Sequence, residues 1–384
     1  MWLGKFMGKG FVVIVFLAAF IGCAITGVEE TAEVDVETLL SGTAIFKTSV
    51  SSSEVADVNL LEVDEEMRQF VVDALDGAHD TPTRTRRLLR AMIKAGFFQL
   101  NYDPLRTSNS LDTFYNHEGN CLSFTNLFVA LAREAGIEAN FQIVDIPPVW
   151  VSDTDFVVLS NHINVVLKGT FRKDQVVDFN LEEYNGNYDT QEVTDEFAYA
   201  YFYSNLGVGA LRKQDLRTAF AYFKKALEKT GDIASIWVNL GVLYVHAGNL
   251  ELAEQAYFRA LNVATNNKSA LTNLTRLHER LGQEEEAEFY RKRIRRYQNR
   301  NPYYHYWLAG AAFDQADYAT ALSKINKALR MKPDEHQFYF LKAQTEMKTG
   351  DRVKAIENLR KAEIFSTHAR IRKKYTGKLA LLQE

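Results

Sequence analysis

The chain has 384 residues, 47% hydrophobic and 24% charged, which is enough for two domain cores and ordinary for a globular protein. Six Pro and 21 Gly exclude a large low-complexity region, and a net charge of −4 gives no general reason to expect nucleic acid as a partner. The two cysteines, Cys23 and Cys121, stand in different contexts, so no disulfide framework is expected.

The chain opens with Lys5 and Lys9, followed by the uncharged apolar run Phe11 to Ile21 and the small residues Gly22, Cys23 and Ala24. The run is shorter than the roughly 20 apolar residues of a membrane-spanning helix and fits the apolar part of a secretory signal. Phe20-Ile21-Gly22-Cys23 resembles a bacterial lipobox, with Phe20 where Leu is usual. The resemblance implies a signal peptide over 1–22 and a lipid-modified Cys23 that anchors the chain to a membrane. Ala24 in place of Asp lacks the inner-membrane retention signal, so the expected location is the bacterial cell envelope, at the periplasmic face of the outer membrane. An uncleaved signal anchor with a free Cys23 is the alternative. Residues 23–55 are acidic and Ser-rich with weak periodicity, and read as a tether.

Residues 56–197 read as an α+β domain. Met67, Phe70, Val71 and Ala74 suit one helix, and Thr83 to Phe98 suit a second after Thr81-Pro82. Gly119 permits a sharp turn before Cys121, and Leu122 to Ala135 carry apolar residues at helical spacing up to Gly136. Cys121 would then begin a buried helix, where the helix dipole and free N–H groups favour a thiolate. Ala139 to Val144, Asn161 to Leu167 and Gln175 to Phe179 read as strands carrying His162 and Asp178. Alone, each of the three residues reads as structural: a small core Cys, a hydrogen-bonded His, a capping Asp.

Together, the stretches GNCLSFTNLFVALAREAGIEA, NHINVVL and VVDFN resemble the transglutaminase-like branch of the papain-like cysteine enzymes. The resemblance implies Cys121 as nucleophile, His162 as base and Asp178 as the group that orients His162, with Asn180 as the alternative third member. The Cys121 N–H is the candidate oxyanion donor, with Tyr115 and Asn116 as further candidates. Ile163 stands where a Trp often follows the histidine. The other histidines form no ligand-spaced cluster with cysteine, so no metal site or cofactor is expected.

Over residues 200–369, Ala219, Ala253, Ala287, Ala321 and Ala355 recur every 34 residues. Leu206, Leu240, Leu274, Leu308 and Lys342 keep the same period, as do Phe223, Tyr257, Arg291, Ile325 and Leu359. The pattern resembles five tetratricopeptide repeats, an all-α solenoid in which neighbours must stack to bury their apolar faces. Arg291 and Ile294 make the third repeat the weakest, and residues 370–384 suit a capping helix with Lys373, Lys374 and Lys378 in water. The resemblance implies a protein or peptide partner on the concave face. The basic run Arg291 to Arg296 reads first as a solvated helix face and second as a docking patch for an acidic partner.

Two functions follow as expectations. One is an envelope-anchored, cysteine-dependent enzyme acting at amide bonds, as peptidase, amidase or transamidase, with repeats that recruit a partner. The other is a non-catalytic scaffold lipoprotein that assembles partners through its repeats. The oligomeric state is not encoded in any of these patterns.

Overall fold

The structure, a computed structural model, describes residues 35–97, 101–144, 162–169, 174–179 and 188–383. The expected signal peptide, Cys23, Asn161 and Asn180 lie outside the described residues. The described residues fall within one compact unit, Glu33–Glu384.

Residues 36–55 are not a tether. Asp35 caps α1 (Val36–Ser41), Gly42 at φ +76° turns the chain into α2 (Thr43–Phe46), and a 3-10 turn follows at Ser52–Glu54. Leu39 and Val50 are fully buried, each worth about 1.5–3 kcal/mol of transfer free energy. Polar contacts from far along the chain hold this strap. Tyr244 Oη donates to the Leu39 carbonyl at 2.7 Å, Lys224 Nζ to the Val50 carbonyl at 2.9 Å, and Arg217 grips Glu54 through two bonds of 2.8 Å. The strap's apolar residues serve several helices in turn, which is why it carries no single helical period.

Helices α3 (Glu65–Leu75) and α4 (Thr81–Lys94) follow, with Pro82 in the first turn of α4, where its missing N–H costs nothing. Arg84 and Arg87 donate to main-chain carbonyls, including those of Ala78, Ala135 and Leu75, and so close helix ends. Next come β1 (Asn101–Tyr102), α5 (Ser110–Asn116), β2 (Glu118–Gly119), α6 (Cys121–Glu134), β3 (Ala139–Val144), β4 (His162–Leu167), β5 (Gln175–Val177) and β6 (Thr190–Val193). The last four strands form an antiparallel sheet in the order β5-β4-β3-β6, and β1 pairs with β2 in parallel. Helix α6 packs on β3 and β4 and buries 11 of its 14 residues, as a helix apolar on most of its surface must.

Ten helices then pair into five repeats: α7 (Asp195–Arg212) with α8 (Leu216–Lys229), α9 (Ala234–His246) with α10 (Leu250–Val263), α11 (Lys268–Leu281) with α12 (Glu284–Arg300), α13 (Pro302–Asp314) with α14 (Tyr318–Met331), and α15 (His336–Lys348) with α16 (Arg352–Phe365). A last helix, α17 (Ala369–Gln383), packs on α16 through Tyr375 and Leu379 and leaves Lys373, Lys374 and Lys378 exposed.

Size complementarity explains the period. A Cβ on Gly207 would meet the Phe223 ring at 2.6 Å, and one on Gly241 would meet the Tyr257 ring at 2.4 Å. Where the residue at that place is larger, its partner on the second helix is no longer aromatic: Thr275 with Arg291, Ala309 with Ile325, Ala343 with Leu359. The third repeat buries Tyr290 instead, one residue before Arg291, stacked on His278 at 5.4 Å.

One hydrophobic core runs from Leu39 through α6 and the sheet into the first three repeats, ending at Tyr290. Beyond it lie two separate clusters of five buried residues each, one joining the fourth repeat to α15 and the other joining α15 and α16 to α17.

Candidate active site

The thiol is placed by a tight local construction. Gly119 has φ +153°, and a Cβ there would lie 2.5 Å from the Ser123 Cβ, so the turn into α6 requires glycine. Asn120 caps α6 by accepting the Ser123 N–H at 3.1 Å, and its own side-chain amide donates to Thr107 at 2.6 Å. Ser123 Oγ accepts the Ser108 N–H at 2.9 Å, which ties the helix start to the preceding loop. Cys121 is therefore the first helical residue. It is half-buried and not in a disulfide, and its N–H meets no acceptor among the described residues. First-turn N–H groups have no partner within their own helix and point to where an oxyanion can sit.

The sheet brings up the other two residues. His162 opens β4, and the α6 hydroxyl of Thr125 donates to the Ile163 carbonyl at 3.3 Å, clamping helix to strand. Asp178 follows β5 directly, beside β4 because Val177 pairs with Val165. His162 Nε2 lies 2.7 Å from Asp178 Oδ2, and both side chains are only 4% exposed. Burial disfavours the imidazolium, but hydrogen bonds to Asp178 and to Cys121, with the charges of both, outweigh it and raise His162 to about 10. With Nε2–H given to the carboxylate, Nδ1 is the ring nitrogen left for the thiol.

Cys121, His162 and Asp178 thus form one hydrogen-bonded unit. Two residues beside it escaped the sequence reading. Asn164 Nδ2 donates to Asp178 Oδ2 at 2.9 Å and fixes the carboxylate. It lies two residues from His162, so the strand period alone puts both on one face. The Tyr102 hydroxyl lies 3.7 Å from Cys121 Sγ, carried there by the pairing of Tyr102 with Gly119. No spacing in the sequence announces a parallel pairing of two-residue strands. Tyr115 and Asn116 do not serve as oxyanion donors: Tyr115 Oη bonds to Asp64 and Glu66, and Asn116 Nδ2 donates to the Asp112 carbonyl.

Comparison with known families agrees with this architecture. The transglutaminase-like superfamily matches residues 68–160, which include Cys121 and stop just before His162. A tetratricopeptide-repeat family matches 205–270, and the family described as anaphase-promoting complex, cyclosome, subunit 3 matches 280–362. The chain therefore joins a transglutaminase-like domain to tetratricopeptide repeats, an α+β domain followed by an all-α solenoid. No curated protein sequence matches the chain.

Among solved structures it is similar to YrrB, a tetratricopeptide-repeat protein described as having an unusual peptide-binding site. The identity is 20%, covering 46% of this chain and 92% of that one, with a TM-score of 0.24. It is also similar to MamA of Desulfovibrio magneticus RS-1 at 16% identity, covering 45% and 96%, with a TM-score of 0.25. PilF of Pseudomonas aeruginosa matches at 20% identity, covering 49% and 86%, with a TM-score of 0.26. The repeat assignment rests on the family matches and the helix pairing, not on these likenesses.

Proposed function

We propose that the protein is a cysteine-dependent enzyme acting at amide bonds, anchored in the bacterial envelope by lipid on Cys23 after removal of residues 1–22. The observation that carries the reading is a solvent-reachable thiol at a helix start, bonded to a buried, charged His162–Asp178 pair. Cys121 sulfur attacks the amide carbonyl carbon, and the Cys121 N–H receives the developing oxyanion. His162 passes its proton to the leaving nitrogen as the C–N bond breaks, leaving an acyl-thioester on Cys121. Water or a second amine resolves that thioester, with His162 as base. Asp178 keeps the imidazole oriented and charged, and Asn164 holds Asp178. The Tyr102 hydroxyl stands 3.7 Å from the sulfur, where it accepts from the thiol. The repeats supply a surface for a protein or peptide partner.

The test is acyl trapping. The full chain is mixed with an activated ester, quenched in acid and analysed by peptide mass spectrometry. An acyl group on the Cys121 peptide, absent in Cys121→Ala and strongly reduced in His162→Ala, is the expected result. Cys121→Ser with undiminished turnover of any amide substrate would sink the reading. For the anchor, Cys23→Ser is expected to release the protein from the membrane fraction.

A further inference from the structure

The arginines of α12 divide between two faces. Arg291 pairs with Glu279 at 2.6 Å and Glu284 at 2.7 Å, and Arg295 pairs with Glu288. That face is a self-neutralised, solvated surface. Arg293, Arg296 and Arg300, spaced three and four residues apart and so on one side of the helix, turn instead into a cavity of about 510 Å3.

The cavity lies along the edge of the solenoid where each repeat hands over to the next. Asn266 comes from the loop after α10, Asn301 and Tyr303 from the start of α13, and Lys332 from the end of α14. Tyr188, ahead of β6, closes another side and packs on Tyr303 with ring centroids 5.9 Å apart. Arg293 is committed to the wall, donating to the Thr265 carbonyl at 2.6 Å. Among the described residues, Arg296, Arg300 and Lys332 have no carboxylate partner, and Asp189 is the one acid that lines the cavity. The described lining therefore carries a surplus of positive charge on a chain whose net charge is −4.

We propose that this cavity binds a carboxylate-rich peptide segment of a partner protein. Arg296 and Arg300 are one helical turn apart, about 6 Å along the axis, and Lys332 sits on a different helix. Cations spread in this way suit carboxylates spaced along a chain, whereas a single small anion needs donors converging on one point. The tyrosine rings give the peptide's apolar atoms a surface, and the volume lies within the ordinary range for ligand sites. The cavity's lining contains none of Cys121, His162 and Asp178, so the inference does not rest on catalysis.

The experiment measures binding of a fluorescein-labelled oligoglutamate peptide to the full chain by fluorescence anisotropy. An oligoglutamine peptide of equal length and inorganic phosphate are the comparators. Saturable oligoglutamate binding is expected, weakening as salt is raised because the cations are partly exposed. It should fall by roughly tenfold or more in Arg296→Glu/Arg300→Glu, and also in Lys332→Glu. These side chains are at the surface, so an unchanged circular dichroism spectrum verifies folding. Failure to bind, equal binding of oligoglutamine, or full affinity in the charge-reversed variants would each overturn the proposal. Displacement by phosphate at concentrations equal to the peptide would also overturn it, in favour of a small-anion site.

Discussion

Helices α9 and α13 occupy the same place in successive repeats two apart, and each has 13 residues. Yet α9 buries 12 of them and α13 only three. Both sequences are apolar nearly all round, ASIWVNLGVLYVH against PYYHYWLAGAAFD. The difference lies in what surrounds them. The first three repeats share one core with the sheet and the N-terminal strap, while the fourth and fifth carry only small local clusters. A uniform repeat pattern has thus been put to two uses. The early repeats complete the domain that carries Cys121, and the late repeats extend from it with side chains left for other contacts. Within α9, Asn239 and Val242 are each only 3% exposed.

The largest effect should come from cutting the chain. Truncation after Tyr199 divides α7 and removes Tyr203, which accepts the Val58 N–H, together with the Tyr244 bond to the strap. That fragment is expected to lose cooperative thermal unfolding. Truncation after Arg300 leaves the main core whole and should retain it. A fragment ending at Tyr199 that melts cooperatively would break the comparison.

The two regions should also answer pH with opposite sign. His162 is raised from 6.5 to about 10 in the folded protein. Its contribution is fully present below pH 6.5 and is lost as pH rises toward 10. The stability gap between wild type and His162→Ala should therefore shrink over that window. His305, in α13, is lowered below 6.5 by burial, so its contribution is present above 6.5 and lost as pH falls below it. The gap for His305→Ala should shrink on the acid side. Urea unfolding across pH checks both slopes.

A smaller contrast comes from two helical glycines. Gly241→Ala drives a methyl into the fully buried Tyr257 ring and should cost about 1–3 kcal/mol. A Cβ on Gly310 meets nothing within 4 Å, so Gly310→Ala should stabilise by about 0.5–1 kcal/mol through helix propensity. Equal effects at the two positions would mean the late repeats are packed as tightly as the early ones.

Much of this is legible in the amino-acid sequence. The 34-residue recurrence of alanine reports a close helix crossing, which local sterics enforce at each repeat. Cys121, His162 and Asp178 were legible as a group through the family resemblance, the residues alone marking only a helix start and two strands. Tyr102 was not, because its position depends on pairing two residues of β1 with β2. The strap reads as a tether in sequence because α1 and α2 have only six and four residues, too short for a period, and their order comes from contacts more than 150 residues away. The division of the α12 arginines could be drawn on a helical wheel, but which face meets a cavity depends on Lys332 and Tyr188, remote in sequence.

The measurement closest to the central claim is the rate of Cys121 alkylation by iodoacetamide near neutral pH, followed on the Cys121 peptide by mass spectrometry. It would be made on the full chain, on the chain ending at Arg300 and on His162→Ala. Rapid labelling of the first two, slowed about tenfold or more in His162→Ala, is predicted from a thiol paired with an imidazole that holds its proton at neutral pH. Slow labelling at one common rate in all three would contradict a working nucleophile and leave a thiol that only fills space at the start of α6.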